Sequence, residues 1–600
     1  MINERKQTYE DQKEYFKGKV DSVKNHLIIV SFLRIFTFLG VIFLLVFLIK
    51  QFSFIRLALF LTCISCFIFL VIYNLKKDEL LKHYKFLIDI NNNELEAINY
   101  NYSMFDNGHE YSDREHEYAY DLDLFGQGSL FQYLNRTVTL AGKDFLADEL
   151  LNVNRICEQK VSNRQKAVEE MALLINWRQN FMATAKGFPV QKDENKKISD
   201  WVNQPVYFLK RNFFKALAVL LPTITLTFLG LLVAGISHYL WFVFFAILQL
   251  LIASMFVRRT NNEQRLVTEE LSILKNYAKL LKLIEQQEFS AEIFNNLKKQ
   301  LRKDNINALE SLKKLIRIID AFDTRLNIFM GVILNATLLW DLVSVMRLEK
   351  WKMRFGENIN RWVEVVAEFD FFISLANYSY NNPEFVNPQI VNTTTIDVKE
   401  LGHPLIPEDK RVNNNFRITE FGKIEIITGA NMAGKSTFLR TIGINLILAM
   451  IGVPVCAKTF SFKMMDLFTG MRTADSLKEN ESYFYAELKR LKNIIESLKQ
   501  DKNTFLLLDE ILKGTNSLDK AKGSWKFVEH LLKLKATGII ATHDLTLCDL
   551  ESEYPENIEN KCFEVQIEGE KISFDYKLRS GVTQNMNASL LMKQMGIFSN

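Results

Sequence analysis

Apolar residues are distributed along this chain in three different patterns, and each predicts a different kind of element. Two long, nearly unbroken runs come first, from Leu27 to Ile49 and from Leu57 to Tyr73, the earlier one interrupted only by Arg34 near its start. They approach the roughly 20 residues that a bilayer core demands, and the short turn between them predicts a helical hairpin in a membrane (27–49 and 57–73). A cleaved signal peptide is the competing reading. Against it, the charged leader of 26 residues is long, no small-residue cleavage site follows, and the second run begins at once. A second pair of runs, Ala216 to Ile236 and Tyr239 to Val257, is joined by Ser237 and His238. Lys210, Arg211 and Lys215 precede it, Arg258 and Arg259 follow it, and the turn carries no cationic residue, so the positive-inside bias puts both ends in the cytoplasm. Lys76, Lys77, Lys82 and Lys85 after the first hairpin point the same way, although Lys50 and Arg56 in its turn weaken the contrast. A further apolar stretch, Leu326 to Met346, holds Asn327, Asn335, Thr337 and Asp341. An acid so placed is costly in lipid, and a buried helix of a soluble domain is expected there.

Elsewhere the period is helical. Ile273, Tyr277, Leu280, Leu281 and Ile284 recur at three and four residues with lysines between them, as an amphipathic helix requires. Lys298, Lys299, Arg302, Lys303, Lys313, Lys314 and Arg317 make the next segment basic; it is expected to be a solvated face balanced by Glu292, Asp304 and Glu310, the alternative being a face for a nucleic-acid backbone or anionic headgroups. Asn381-Asn382-Pro383 and Asn387-Pro388 mark a linker. Beyond it the pattern changes to short continuous apolar runs, Ile424 to Thr428, Thr504 to Leu508 and Gly538 to Thr542, of the kind found in buried parallel strands. The expected architecture is multidomain, α and α/β: residues 1–112 with the first hairpin, 113–390 a helical region carrying the second, and 391–600 an α/β nucleotide domain.

Composition refines this picture modestly. A hydrophobic share of 48% beside 24% charged residues fits a soluble protein with some membrane segments, and a net charge of +4 makes no electrostatic case for nucleic acid. Six cysteines without a disulfide framework indicate a reducing compartment; the Cys63 and Cys66 pair lies inside an apolar run and reads as packing.

The chemistry is concentrated at the ends of the three short strands. After Ile424 to Thr428 comes Gly429-Ala430-Asn431-Met432-Ala433-Gly434-Lys435-Ser436-Thr437, which fits G-x-x-x-x-G-K-[ST] between a strand and a helix, the context of a phosphate-binding loop. Its glycines let backbone N–H groups approach phosphate oxygens at a helix N-terminus. Lys435 would reach the β- and γ-phosphates of a nucleoside triphosphate, and the Ser436 hydroxyl would ligate Mg²⁺. The second strand ends in Asp509, positioned to hold the metal, and Glu510, positioned to polarise the attacking water; the third ends at His543, where an imidazole can sense the γ-phosphate. Ligands of open α/β sheets bind at the carboxyl ends of strands.

The residues 428–437, with Asn431-Met432 before the second glycine, resemble the phosphate loop of the MutS family of DNA mismatch repair ATPases. Leu508-Asp509-Glu510 followed by Gly514-Thr515-Asn516-Ser517, Ala541-Thr542-His543, and Met471-Arg472 through Glu481-Ser482-Tyr483-Phe484 with Glu487 are similar to that family's further ATPase motifs. Asp121-Leu122-Asp123-Leu124-Phe125, Gly128 to Phe131, Leu134 to Thr137, Gly142-Lys143 and Asn163-Arg164-Gln165 resemble the start of its core domain. The resemblance implies ATP and Mg²⁺ as ligands and a homodimer in which Ser482 completes the partner's site, while Lys435, Ser436, Asp509, Glu510 and His543 serve their own. It also implies DNA as a partner. Where the family often stacks an aromatic residue on adenine stands Val412, with Phe416 the candidate substitute. The family's Phe-x-Glu mismatch wedge is missing from the first 110 residues. The expectation is a membrane-anchored, MutS-like ATPase forming a dimeric clamp, multi-pass in the cytoplasmic membrane with its ATPase domain on the cytoplasmic side. An ABC-type transporter, which would want a Leu-Ser-Gly-Gly-Gln signature, a tethered ATPase acting on a partner other than DNA, and a scaffold that binds ATP without turning it over are the alternatives.

Overall fold

The computed structural model describes residues 2–187, 200–302, 307–472, 483–499, 503–512, 517–568 and 571–584. Helices α1 (Ile2–Lys50) and α2 (Phe54–Ile98) pack against each other along their length as a hairpin. The 49 residues of α1 rise about 74 Å, far more than the apolar run alone, because the polar leader consists of good helix formers and nothing in it stops the helix. The far half of the hairpin turns its large apolar side chains outward, as at Phe36 and Phe54, whereas Tyr9, Leu87, Ile90 and Ile98 at its base join the main core.

That core surrounds α12 (Trp340–Asn381), whose last twenty residues are almost wholly buried. Around it pack α3 (Leu130–Leu134), α4 (Leu140–Leu151), α5 (Glu158–Leu173), α6 (Ile175–Lys186), α9 (Glu292–Gln300) and α10 (Ala308–Asp323). A buried polar lattice fastens the hairpin base to α12. Arg136 donates to Glu94 at 2.6 Å, Asn381 donates to the other Glu94 oxygen at 2.7 Å, and the Tyr9 hydroxyl donates to Asn381 at 2.8 Å. Asp370 on α12 accepts from the backbone N–H groups of Val138 and Thr139 and from the Thr139 hydroxyl, which itself caps α4.

The second hairpin is α7 (Asn212–Val233) and α8 (Tyr239–Gln286); the periodic residues Ile273, Tyr277, Leu280, Leu281 and Ile284 lie buried along the inner end of α8. By length and composition α1, α2, α7 and α8 can each cross a membrane. The stretch 326–346 departs from expectation. It is two helices, α11 (Ile328–Leu338) and the start of α12, meeting at 81° through Leu339 at φ +48°. Its polar residues form the break: Asn335 accepts from the Asp341 N–H and donates to the Asp341 carboxylate, both at 3.0 Å. With those groups turned inward, Ile328 and Phe329 are left 78% and 82% exposed, not buried.

The C-terminal region is α/β. Strands β1 (Gln389–Ile390), β2 (Ile396–Leu401), β3 (Asn414–Ile418) and β5 (Thr459–Phe462) form a small sheet in the order β1-β5-β2-β3. The main sheet runs β10-β9-β4-β8-β7-β6, from β4 (Ile424–Gly429), β6 (Asp466–Gly470), β7 (Thr504–Asp509), β8 (Thr537–Thr542), β9 (Ile558–Glu568) and β10 (Lys571–Ser580). All its pairings are parallel except β9 with β10, and every residue of β4, β7 and β8 is buried, as continuous apolar runs demand.

Replacing Glu94 by Ala strands the Arg136 guanidinium, only 3% exposed at its side chain. Breaking such a buried pair costs about 3–5 kcal/mol, so Glu94→Ala is expected to lower the midpoint of chemical unfolding markedly, while Lys82→Ala, at an exposed pair with Asp78, leaves it unchanged.

Candidate functional site

Strand β4 carries the chain to Gly429, and the turn that follows needs left-handed backbone at Gly429 (φ +154°), Met432 (φ +67°) and Gly434 (φ +103°) before helix α13 (Lys435–Ile451) begins. A methyl group on Gly434 would stand 3.0 Å from the Tyr576 ring, and one on Gly429 would stand 2.9 Å from the Phe563 carbonyl oxygen. Glycine is therefore required by space as well as by conformation. The turn ends with Lys435, 6% exposed, whose ammonium donates to the Gly429 carbonyl at 2.7 Å and the Ala430 carbonyl at 3.2 Å.

Because β4, β8 and β7 are adjacent and parallel, their carboxyl ends deliver their polar residues to one place. The Ser436 hydroxyl donates to Asp509 at 2.5 Å. Glu510 sits at φ +56° with its N–H bonded to the Ala541 carbonyl, which turns its carboxylate toward His543 Nε2 at 2.8 Å. His543 in turn stands 3.4 Å from the Lys435 ammonium. A cavity of about 480 Å³ opens here, lined by Ala430 to Thr437, Asp509, Glu510 and His543. Each sequence-predicted residue of the phosphate loop and strand ends is thus in one constellation. Ser482 and residues 514–516 lie outside the described residues.

The far side of the cavity differs from expectation. Val412 lines it, but Phe416 does not: it is 2% exposed, packed edge-on against Phe438 under the floor. Phe438 and Phe563 line it as buried side chains, 4% and 1% exposed, whereas Tyr576, 43% exposed, is brought in by a bulge between Phe574 and Leu578 of β10 and set at φ +55°. Asn414 pins that bulge through the Tyr576 carbonyl at 3.0 Å and the Leu578 N–H at 2.9 Å. His403 also lines the cavity; burial, with Arg440 and Arg411 nearby, pushes its imidazole down to about 4, so it is neutral at pH 7. No local signal marks either residue, since both arrive from elements distant in sequence.

A second group of charges connects the cavity to the helical region. Asp121 accepts from the N–H groups of Met471 and Arg472 at 3.0 and 2.9 Å, from Thr469 and from Arg490; Asp123 pairs with Arg472 and with Arg440 of α13. The residues that resemble the start of a core domain therefore clasp the chain just where it leaves β6.

For a divalent cation, Ser436 and Asp509 present a hydroxyl and a carboxylate side by side, the oxygen donors suited to Mg²⁺, which keeps several of its own waters and takes few protein ligands. Among the described residues no cluster of three or more His, Cys, Asp or Glu would hold a metal unaided.

Sheet order, glycine turn and strand-end acids define an α/β domain of the P-loop class. The MutS domain V profile matches residues 425–595. The chain is 35% identical over 237 residues to MutS protein homolog 4 of Homo sapiens, covering 38% of this chain and 25% of that protein. It is 33% identical over 250 residues to the DNA mismatch repair protein MutS of Lachnoclostridium phytofermentans (40% and 26%), and 30% identical over 256 residues to that of Persephonella marina (42% and 29%). The α/β region of the chain is similar to the MutS family, and the chain spans about a quarter of the length of the curated relatives it matches.

Gly434→Ala forces both a strained φ and a contact with Tyr576. Backbone strain of about 1–3 kcal/mol corresponds to weakening by roughly 5- to 150-fold, which titration with a fluorescent ATP analogue will read; unchanged affinity would mean nucleotide does not use this turn.

Proposed function

We propose that this chain is a membrane-anchored ATPase that binds Mg·ATP at the glycine turn, hydrolyses it, and uses the cycle to open and close a dimeric clamp. The single observation carrying the ATPase reading is the convergence of Lys435, Ser436, Asp509, Glu510 and His543 at the ends of three adjacent strands. Backbone N–H groups of residues 430 to 435 bind phosphate oxygens at the start of α13. Lys435 exchanges its carbonyl contacts for the β- and γ-phosphates, and Ser436 and Asp509 would hold Mg²⁺, which would supply charge neutralisation. Glu510 orients a water and accepts its proton as the water oxygen bonds to the γ-phosphorus and the bond to the β-phosphate oxygen breaks. His543, hydrogen bonded to Glu510, fixes that carboxylate and faces the γ-phosphate. Ser482 of a second copy closes the site in the dimer that the family resemblance implies. Tyr576 and Val412 border the remaining cavity, where the base would lie.

The membrane reading rests on four long apolar helices, and the cationic flanks of the second hairpin at Lys210, Arg211, Lys215, Arg258 and Arg259 support a cytoplasmic ATPase domain. DNA is the partner that the relatives' names point to. A specific observation keeps a partner other than DNA in view: Lys298, in the basic segment, donates to the Glu285 carbonyl at 3.2 Å and to that of Gln287 at 2.5 Å, so this cation closes the end of α8 and is not free for a phosphate backbone.

Glu510→Gln is expected to keep nucleotide while phosphate release falls by about 10²–10⁴-fold; a variant hydrolysing at the parent rate would remove Glu510 from the reaction. Phosphate contacts dominate nucleic-acid affinity at low salt, so the full-length protein in detergent should retain duplex or single-stranded DNA there and lose it as salt rises. Binding of neither form at low salt would assign the clamp to another partner.

A further inference from the structure

Helix α11 presents an apolar face left exposed among the described residues, although it sits between two helices of the main core, α10 and α12. Ile328, Phe329, Met330, Val332 and Ile333 are exposed, while Gly331 and Asn335 face inward. In water such a face on eleven residues is unfavourable by roughly 25 cal/mol for each Å² left uncovered. The helix packs on α8 and α7, the hairpin whose own outward residues, Leu220, Leu226, Phe244 and Leu251, are equally apolar. Whatever medium bathes that hairpin bathes α11.

Two sets of contacts define its path. Near its start Arg325 donates to Asn261 of α8 at 2.5 Å; near its end the Thr337 carbonyl accepts from Gln249 of α8 at 3.5 Å. A helical rise of about 18 Å separates those two α8 positions, so α11 descends beside α8 from the cationic end toward the middle of its apolar run. The chain then returns: Trp340 donates its indole N–H to the Ala321 carbonyl at 3.0 Å, and Asp341 pairs with Arg325 at 3.1 Å, bringing the exit back beside the entry.

Hydrocarbon tolerates a broken helix only when its backbone and polar side chains find partners within the protein. They do here. Asn335 closes on both the N–H and the carboxylate of Asp341, and Gln249, itself fully buried, donates to Thr225 of α7 at 2.5 Å besides reaching the Thr337 carbonyl. Of these groups, Asn335, Thr337 and Asp341 are residues that, read from sequence, argued against lipid.

We infer that α11 is a re-entrant half-helix that enters and leaves the hydrocarbon layer from the cytoplasmic side, with its outer face against lipid acyl chains. The inference rests on reading the four long helices as membrane spans, and goes beyond it by adding a fifth lipid-facing element joined directly to α12, the helix at the centre of the soluble core. Movement of α12 would then be felt in the bilayer, and the reverse.

The test uses the full-length chain in liposomes doped with phospholipid carrying a diazirine in its acyl chain, followed by irradiation and mapping of lipid adducts on peptides. The expected result is adducts on 328–333 as well as on the outward faces of α1, α2, α7 and α8, and loss of the α11 adducts in Gln249→Leu, which removes the donor to Thr337. Adducts on the four long helices without any on α11 would overturn this inference and leave the membrane reading standing. Crosslinking of α11 to a second copy of the chain in place of lipid would also overturn it. Adducts on none of the helices would overturn the membrane reading itself.

Discussion

The ammonium of Lys435 is the constraint on which the nucleotide half of this protein depends. A charge held at 6% exposure must be surrounded by oxygens, and before phosphate arrives two carbonyls of its own turn help to supply them. That geometry requires Gly429 and Gly434 in left-handed backbone, which in turn requires β4 to be fixed between β8 and β9 with no freedom of register. The continuous apolar sequence of β4, β7 and β8 supplies that fixity, since a strand buried on both faces pairs in only one way with equally buried neighbours. Asp509, Glu510 and His543 reach the turn only because those strands are parallel and adjacent.

The helical half is joined to the region of the nucleotide turn through a small number of polar contacts. Asp123 pairs with Arg440 on the helix that begins at the phosphate loop, and Asp121 accepts from the backbone N–H groups at 471–472 where β6 ends. Deeper in the same half, Glu94, Arg136, Asn381 and Tyr9 join the base of the first hairpin to the end of α12, immediately before the linker into the α/β region. These two separate sets of contacts tie the phosphate-loop helix and the base of the first hairpin to the helical half, in which α12 also packs on the second hairpin.

Much of the site was legible in the sequence, because its chemistry is local. A strand, a glycine turn and a helix start lie within 15 consecutive residues, and each strand-end acid follows directly on its own apolar run. What could not be read is what arrives from afar. Tyr576 enters the cavity through a bulge whose pinning residue, Asn414, is 162 positions away, while Phe416, the nearer candidate, is drawn into the core against Phe438. Asp121 meets Met471 across 350 positions. The stretch 326–346 misled for a different reason: composition records that polar residues are present but not that Asn335 and Asp341 satisfy each other and break the helix, leaving its apolar face outward.

The most direct test of the central claim is the stoichiometry of Mg·ATP retained by the purified full-length protein in lipid nanodiscs, measured by equilibrium dialysis with radiolabelled nucleotide. The account predicts close to one ATP per chain for the parent and little or none for Lys435→Ala. A parent protein that retains no ATP, or a Lys435→Ala variant that retains as much as the parent, would contradict it.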